Sequence, residues 1–174
     1  MNPERSSYCR KREIVSSHPG IRNAIVSESQ SRVQIKRILA AVDGSEYSDK
    51  AVKYACAIAG PLSAEVYLLY VVAMLVNATP YGDAVTDQPF LALQKVGEDV
   101  LARAKRVARD NGCEAVDLIS YGDAAAQIIE VAQAKSVDLI VMGTRGIGGI
   151  KRLFVGSTSD RVIRQASCPV MVVR

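Results

Sequence analysis

Ile38-Leu39-Ala40-Ala41-Val42 is an unbroken run of five apolar residues that stops at Asp43-Gly44-Ser45. Beyond the stop, Ala51, Tyr54, Ala55 and Ile58 recur at intervals of three and four. A short continuous apolar run bounded by turn residues reads as a strand buried on both faces, and the wider recurrence reads as the apolar stripe of a helix. The stretch predicts strand, turn and helix, the opening of a βαβ unit.

The same alternation continues to the end of the chain. Gly60-Pro61 is expected to stop the first helix, and Val66 to Val72 reads as a second buried strand. A long helix over 90–111 is expected to carry Leu91, Val96, Val100, Leu101, Ala104 and Ala108 on its apolar side and to end at Gly112. Val116 to Ile119 gives a third strand, 124–135 a third helix through Ile128, Ile129 and Ala132, and Asp138 to Met142 a fourth strand. Ser157 to Ala166 reads as helical, and Val170 to Val173, introduced by Pro169, as a fifth strand. Residues 73–89 hold Asn77, Pro80, Tyr81, Gly82, Asp83 and Pro89, and predict a long loop. Five β-rich runs alternating with four helices predict an α/β fold. Its parallel sheet is doubly wound, with helices on both faces, because parallel neighbours need right-handed crossovers.

The composition bounds what such a domain can do. The chain has 174 residues, 49% apolar and 23% charged, which suits one globular domain with an appendage. No run approaches the roughly 18 apolar residues of a spanning helix, and the first 35 residues lack the apolar core of a secretory signal. A cytoplasmic protein is expected. Cys9, Cys56, Cys113 and Cys168 stand singly, with no C-x-x-C pair, so reduced thiols are expected and a structural zinc is not. The single His18 precedes all periodic structure, which leaves the folded part without an imidazole for acid–base work or metal ligation.

Charge divides the chain at Ile35. Residues 1–35 hold Arg5, Arg10, Lys11, Arg12, Arg22 and Arg32 against Glu4, Glu13 and Glu28. Of the net +4, this leader therefore carries +3 and the domain over 36–174 only +1. The leader is Ser-rich without a sustained apolar period and reads as a flexible basic extension. Arg10-Lys11-Arg12 is read as a solvated tail, with contact to nucleic acid, a membrane surface or an acidic partner as the alternative.

After the fourth strand comes Gly143-Thr144-Arg145-Gly146-Ile147-Gly148-Gly149-Ile150-Lys151-Arg152-Leu153-Phe154-Val155-Gly156-Ser157-Thr158-Ser159. Glycines let a backbone approach a ligand closely, and successive N–H groups in such a turn form an anion-binding concavity. Gly156-Ser157-Thr158 then opens a helix whose first N–H groups lack intrahelical partners, a place for a phosphate. In open α/β sheets ligands bind beyond the carboxyl ends of the strands, so the loops after the first and fourth strands are the ones of interest. Neither G-x-x-x-x-G-K-[ST] nor a G-x-G-x-x-G after the first strand is present, which argues against P-loop and dinucleotide-binding readings.

The spacing Gly143-x2-Gly146-x9-Gly156-Ser157 resembles the universal stress protein family, in its ATP-binding branch. The likeness runs from Lys36 to Arg174 and includes Val42-Asp43-Gly44-Ser45, Gly122-Asp123-Ala124 and Ser167-Cys168-Pro169-Val170-Met171-Val172-Val173. The resemblance implies a Rossmann-like sheet of order 3-2-1-4-5. It implies that Asp43, with the backbone of Ala41 and Val42, meets the ribose and a phosphate-bound Mg²⁺. It implies that Val71 recognises adenine through its backbone. Met142, Gly143, Arg145 and Gly146 would form the wall and floor after the fourth strand, and Gly156, Ser157, Thr158 and Ser159 would hold phosphate. Arg145 occupies a position that varies in the family.

The resulting expectation is a nucleotide-dependent regulatory or stress-response protein that binds ATP, or AMP or ADP, with slow hydrolysis at most. Phosphoryl transfer needs a positioned nucleophile or water, and the motifs supply no His and no second carboxylate. Autophosphorylation on Ser or Thr is compatible with the motifs. The alternative is a non-catalytic dimeric protein whose basic leader engages nucleic acid or an acidic partner. Tyr8 is the leader's only aromatic, which weighs against nucleic acid. The apolar fifth strand at a sheet edge predicts a homodimer through 170–173.

Overall fold

A computed structural model describes residues 33–73, 87–144 and 156–174. They form nine elements: β1 (Arg37–Ala41), α1 (Glu46–Leu62), β2 (Glu65–Val72), α2 (Asp87–Asp110), β3 (Ala115–Tyr121), α3 (Ala124–Ala134), β4 (Leu139–Gly143), α4 (Ser157–Gln165) and β5 (Val170–Val173). All strand pairings are parallel, in the order β3-β2-β1-β4-β5, the doubly wound Rossmann-like arrangement.

Strand β1 lies at the centre and is hydrogen-bonded on both sides, Ile38 pairing with Val66 and Leu139, and Ala41 with Leu69 and Met142. Its Ile38, Leu39 and Ala40 are completely buried. Side chains alternate across a strand, so each apolar run feeds two cores. Ile38, Ala40, Val66, Leu68, Leu139 and Val141 face Ala51, Val52, Ala55 and Cys56 of α1 and Leu101, Ala104 and Ala108 of α2. Leu39, Tyr67, Leu69, Ile140 and Met142 face Ala125, Ile128 and Ala132 of α3 and Val162 of α4. This two-sided burial is why the strands read as continuous rather than alternating apolar runs.

Several expectations from the sequence change. Helix α1 continues through Pro61 to Leu62 instead of stopping at Gly60. So near the end, a proline deletes only one helical hydrogen bond, and the turn closes with Ser63 at φ 51° and Ala64 N–H donating to Ala59 O at 3.1 Å. Helix α2 begins at Asp87, so the expected loop over 73–89 is cut short; Pro89 falls in the first turn, where its missing N–H costs nothing. Residues 74–86 lie outside the described residues.

The apolar side of α2 is the expected one at Val100, Leu101, Ala104 and Ala108, and differs nearer its start. Leu91 and Val96 are exposed, as is Tyr54 of α1. The buried stripe runs Gly97, Leu101, Ala104, Ala108 at intervals of four, three and four. Gly97 extends the stripe toward the start of the helix, where the backbone lies directly on the ring of Tyr70. A Cβ there would lie 2.7 Å from Tyr70 Cδ1 and 2.9 Å from Cε1. The helix ends as expected at Gly112, whose φ of +69° suits a residue without a Cβ.

Gly97→Val would drive branched methyls into the Tyr70 ring, since neither the helix nor the strand can retreat without opening the core. We expect a loss of about 1–3 kcal/mol, read from urea midpoints at unchanged slope.

Candidate functional site

Strands β2, β1 and β4 end side by side at the carboxyl edge, and the chain leaves them in different directions. Val42 extends the ladder one residue past β1 by donating its N–H to Leu69 O at 2.9 Å. The half-buried Asp43 follows, its Oδ1 accepting the Ser45 N–H at 3.0 Å, with Gly44 between them at φ +85°. Ser45 caps α1, its Oγ accepting the Ser48 N–H at 3.2 Å. Helix α2 clamps this turn from above. Val100 packs on Gly44, Arg103 donates to Gly44 O at 3.2 Å, and the same guanidinium pairs with Asp49. Asp43 is thereby held in one orientation at the middle of the edge.

Across the β1–β4 boundary a second construction begins. Thr144, buried, donates its N–H to Val173 O at 2.8 Å. Its carbonyl accepts the Gly156 N–H at 2.7 Å and lies 3.3 Å from Ser159 Oγ, which is also 2.9 Å from Gly156 O. One carbonyl therefore joins the two ends of segment 145–155 and seats the first turn of α4. Ser45 and Asp123 cap α1 and α3 with their side chains, whereas Gly156 offers α4 no side-chain cap. A helix start without its own cap has N–H groups at its positive end suited to an external anion.

Each expected site residue can be placed against this frame. Ala41 and Met142 are cross-strand partners, Ala41 half-buried and Met142 buried, with Val42 buried beyond them. Gly143 closes β4 opposite Val173. Val71 is half-buried near the end of β2, on the other side of β1, paired with Ser120. Along α4, Gly156 is the N-cap, Ser157 is exposed, Thr158 is half-buried and Ser159 is buried. The Ser159 hydroxyl is engaged in the clasp. Arg145 and Gly146 lie outside the described residues. Among the described residues no cluster of three or more His, Cys, Asp or Glu suited to a metal occurs.

Sequence reasoning passed over two contributors. Tyr70 sits beneath Gly97, and burial, with the negative charge of Asp43 added, raises its phenol above the ordinary range. Its signal is an aromatic interrupting the aliphatic end of a strand. Asp123 caps α3, accepting the Ala126 N–H at 2.8 Å, and pairs at 2.8 Å with Arg161 of α4. It thus braces the helix that starts at Gly156.

Residues 34–174 match the model of the universal stress protein family. The universal stress protein MJ0531 of Methanocaldococcus jannaschii is 35% identical over 88% of this chain and 89% of its own length. The solved universal stress protein UspA of Lactobacillus plantarum is 32% identical, covers 81% of this chain and 99% of its own, and superposes with a TM-score of 0.71. A universal stress protein solved in complex with cAMP shares the fold at 22% identity and a TM-score of 0.63, over 80% of this chain and 97% of its own.

The hydrogen bond from Ala126 N–H, reinforced by Arg161, holds the Asp123 carboxyl below the usual carboxylate range. A depressed folded-state pKa contributes stability that is complete above the unfolded value of about 3.9 and is lost as pH falls through the lower folded value. Asp123→Asn keeps the cap and deletes the charge. It is expected to unfold at lower urea than the parent near pH 7, with the gap closing as the parent is acidified below pH ~4.

Proposed function

The chain belongs to the universal stress protein family, and on that premise we propose that it is an ATP-binding regulatory protein whose state follows nucleotide occupancy. The observation that carries this reading is the pairing of two features at one sheet edge. The α4 N-terminus has no side-chain cap, and Asp43 is fixed beyond the adjacent strand. The universal stress protein solved in complex with cAMP adds support, because cAMP contains the same adenine, ribose and phosphate parts.

In this reading adenine lies against the backbone of Val71, and Asp43 accepts hydrogen bonds from the ribose, with Ala41 and Val42 beside it. Met142, Gly143, Arg145 and Gly146 line the space after β4, and the Gly156, Ser157 and Thr158 groups take the phosphates. Ser159 acts through the clasp, holding Gly156 in place. Mg²⁺, bound through phosphate oxygens, would find Asp43 as its protein neighbour and neutralise phosphate charge. The donor set suits binding more than turnover. It offers N–H groups and hydroxyls for charge stabilisation but, among the described residues, no imidazole, and the carboxylates near α4 are engaged, Asp123 with Arg161 and Asp160 with Arg164, so hydrolysis is slow or absent.

The chain divides in this reading into a basic extension over 1–35 and a nucleotide-binding domain over 36–174. The domain pairs with a second copy through β5, whose Val170, Met171 and Val172 are half-buried at the sheet edge. With no helix among the described residues long and apolar enough to cross a membrane, a cytoplasmic location fits.

Calorimetric titration with ATP and AMP, with and without Mg²⁺, tests binding; no heat at about 1 mM ligand would overturn it. Gly156 has φ −64° and ψ 152°, a conformation open to any residue. Gly156→Val should therefore fold and yet weaken ATP at least tenfold, about 1.4 kcal/mol, by obstructing the approach of phosphate. Deleting 1–35 should leave the affinity unchanged, whereas loss of a bound nucleic acid or acidic partner on that deletion would favour the leader-driven reading. Sedimentation at tens of micromolar should give a dimer.

A further inference from the structure

Helix α2 meets the turn after β1 along one stripe of its surface. Gly97, Val100 and Arg103, each three residues from the next, contact the Tyr70 ring, Gly44 and the Gly44 carbonyl in turn. A Cβ at Gly44 would lie 3.1 Å from a Val100 methyl, and Arg103 Nη1 donates to Gly44 O at 3.2 Å. Nη2 of the same guanidinium pairs with Asp49 in the first turn of α1. The arginine therefore cannot swing away without breaking contacts to two elements.

The oxygen that Arg103 holds belongs to the same peptide unit as the N–H that holds Asp43. A peptide unit is planar, so its C=O and N–H point in opposite directions and turn together. Gly44 O accepts from Arg103 on one side, and Ser45 N–H donates to Asp43 Oδ1 at 3.0 Å on the other. Gly44, at φ +85°, has no Cβ to resist rotation of that unit. Were the unit to turn over, the Asp43 carboxylate would lose its donor and face a carbonyl oxygen instead.

We propose that Arg103 is the positioning residue for Asp43, setting the ribose selectivity of the nucleotide edge through the Gly44–Ser45 peptide unit. The proposal rests on the reading in which Asp43 accepts hydrogen bonds from the ribose. Arg103 touches no ligand in this role. It keeps one oxygen of Asp43 on the Ser45 N–H, so that the other is presented in a single direction. Lysine is a poor substitute, because its ammonium lacks the fixed fork that meets a carbonyl and a carboxylate together. The coupling is reciprocal: a ribose held by Asp43 opposes rotation of the same peptide unit, so an occupied edge fastens α2 to α1 at Arg103.

The test titrates the full chain with ATP and with 2′,3′-dideoxy-ATP, which keeps adenine and phosphates but lacks the hydroxyls that would donate to Asp43. The parent is expected to prefer ATP about tenfold, the order of a hydrogen bond to a charged acceptor. Arg103→Met should bring ATP down to the dideoxy level while the dideoxy affinity stays put, because the phosphate groups are taken by another element. Arg103→Lys should fall between. In an Asp43→Asn background, Arg103→Met should change the ratio no further. General loss of stability weakens both nucleotides alike, so the ratio separates positioning from structural support. A parent-like ratio in Arg103→Met, or in Arg103→Lys where the first variant does not fold, overturns the role of Arg103 and leaves ATP binding standing. Equal binding of the two nucleotides by the parent overturns it as well, by removing Asp43 from the ribose. A parent that binds neither nucleotide overturns the ATP reading and the proposal with it.

Discussion

Every element of the domain answers to the burial of β1. Ile38, Leu39 and Ala40 contact no solvent, and the strand's backbone is paired on both edges. A central parallel strand can reach that state only if both faces are covered, and connections between parallel neighbours must cross over those faces. Helices α1 and α2 close one side, α3 and α4 the other. Side-chain alternation then delivers one apolar run to two cores, which is why Ala40 and Leu39, adjacent in sequence, meet different helices.

The same constraint creates the site. Helices α1 and α4, which follow β1 and β4, pack on opposite faces, the arrangement that leaves an open edge between adjacent strand ends in such sheets. Two small devices hold that edge in shape. On one side Arg103 and Val100 of α2 grip Gly44, so the orientation of Asp43 depends on a helix more than fifty residues away in sequence. On the other the Thr144 carbonyl gathers Gly156 N–H and the Ser159 hydroxyl, seating α4. The Asp123–Arg161 pair ties the far side of α4 to α3. Ser159, which the linear motif places beside Ser157 and Thr158, is thus turned inward onto Thr144 O and Gly156 O.

The net +4 of the chain says little about any of this. Most of it belongs to the leader, while the edge that matters is governed by local dipoles and single side chains whose effect decays within a turn or so. The described thiols, alike in composition, are likewise divided by the sheet, Cys56 and Cys113 on one face and Cys168 on the other.

Five strands, four helices and the turn at Asp43-Gly44-Ser45 were legible in the sequence, because apolar run length, helical periodicity and turn chemistry are relations between near neighbours in the chain. The strand order came from resemblance and is the order found. Within the helices the reading failed where neighbours do not decide. Leu91 and Val96 suit an apolar stripe as well as Gly97 does, yet both are exposed while Gly97 is pressed against the Tyr70 ring on β2. Sequence by itself determined the fold class and the positions of the turns around the edge. Tertiary structure decided which residues at the start of α2 stay exposed, that Ser159 turns inward, and that Tyr70 and Asp123 pack beside the carboxyl edge. Each of these depends on contacts between residues distant in sequence, and close packing admits only one arrangement of them.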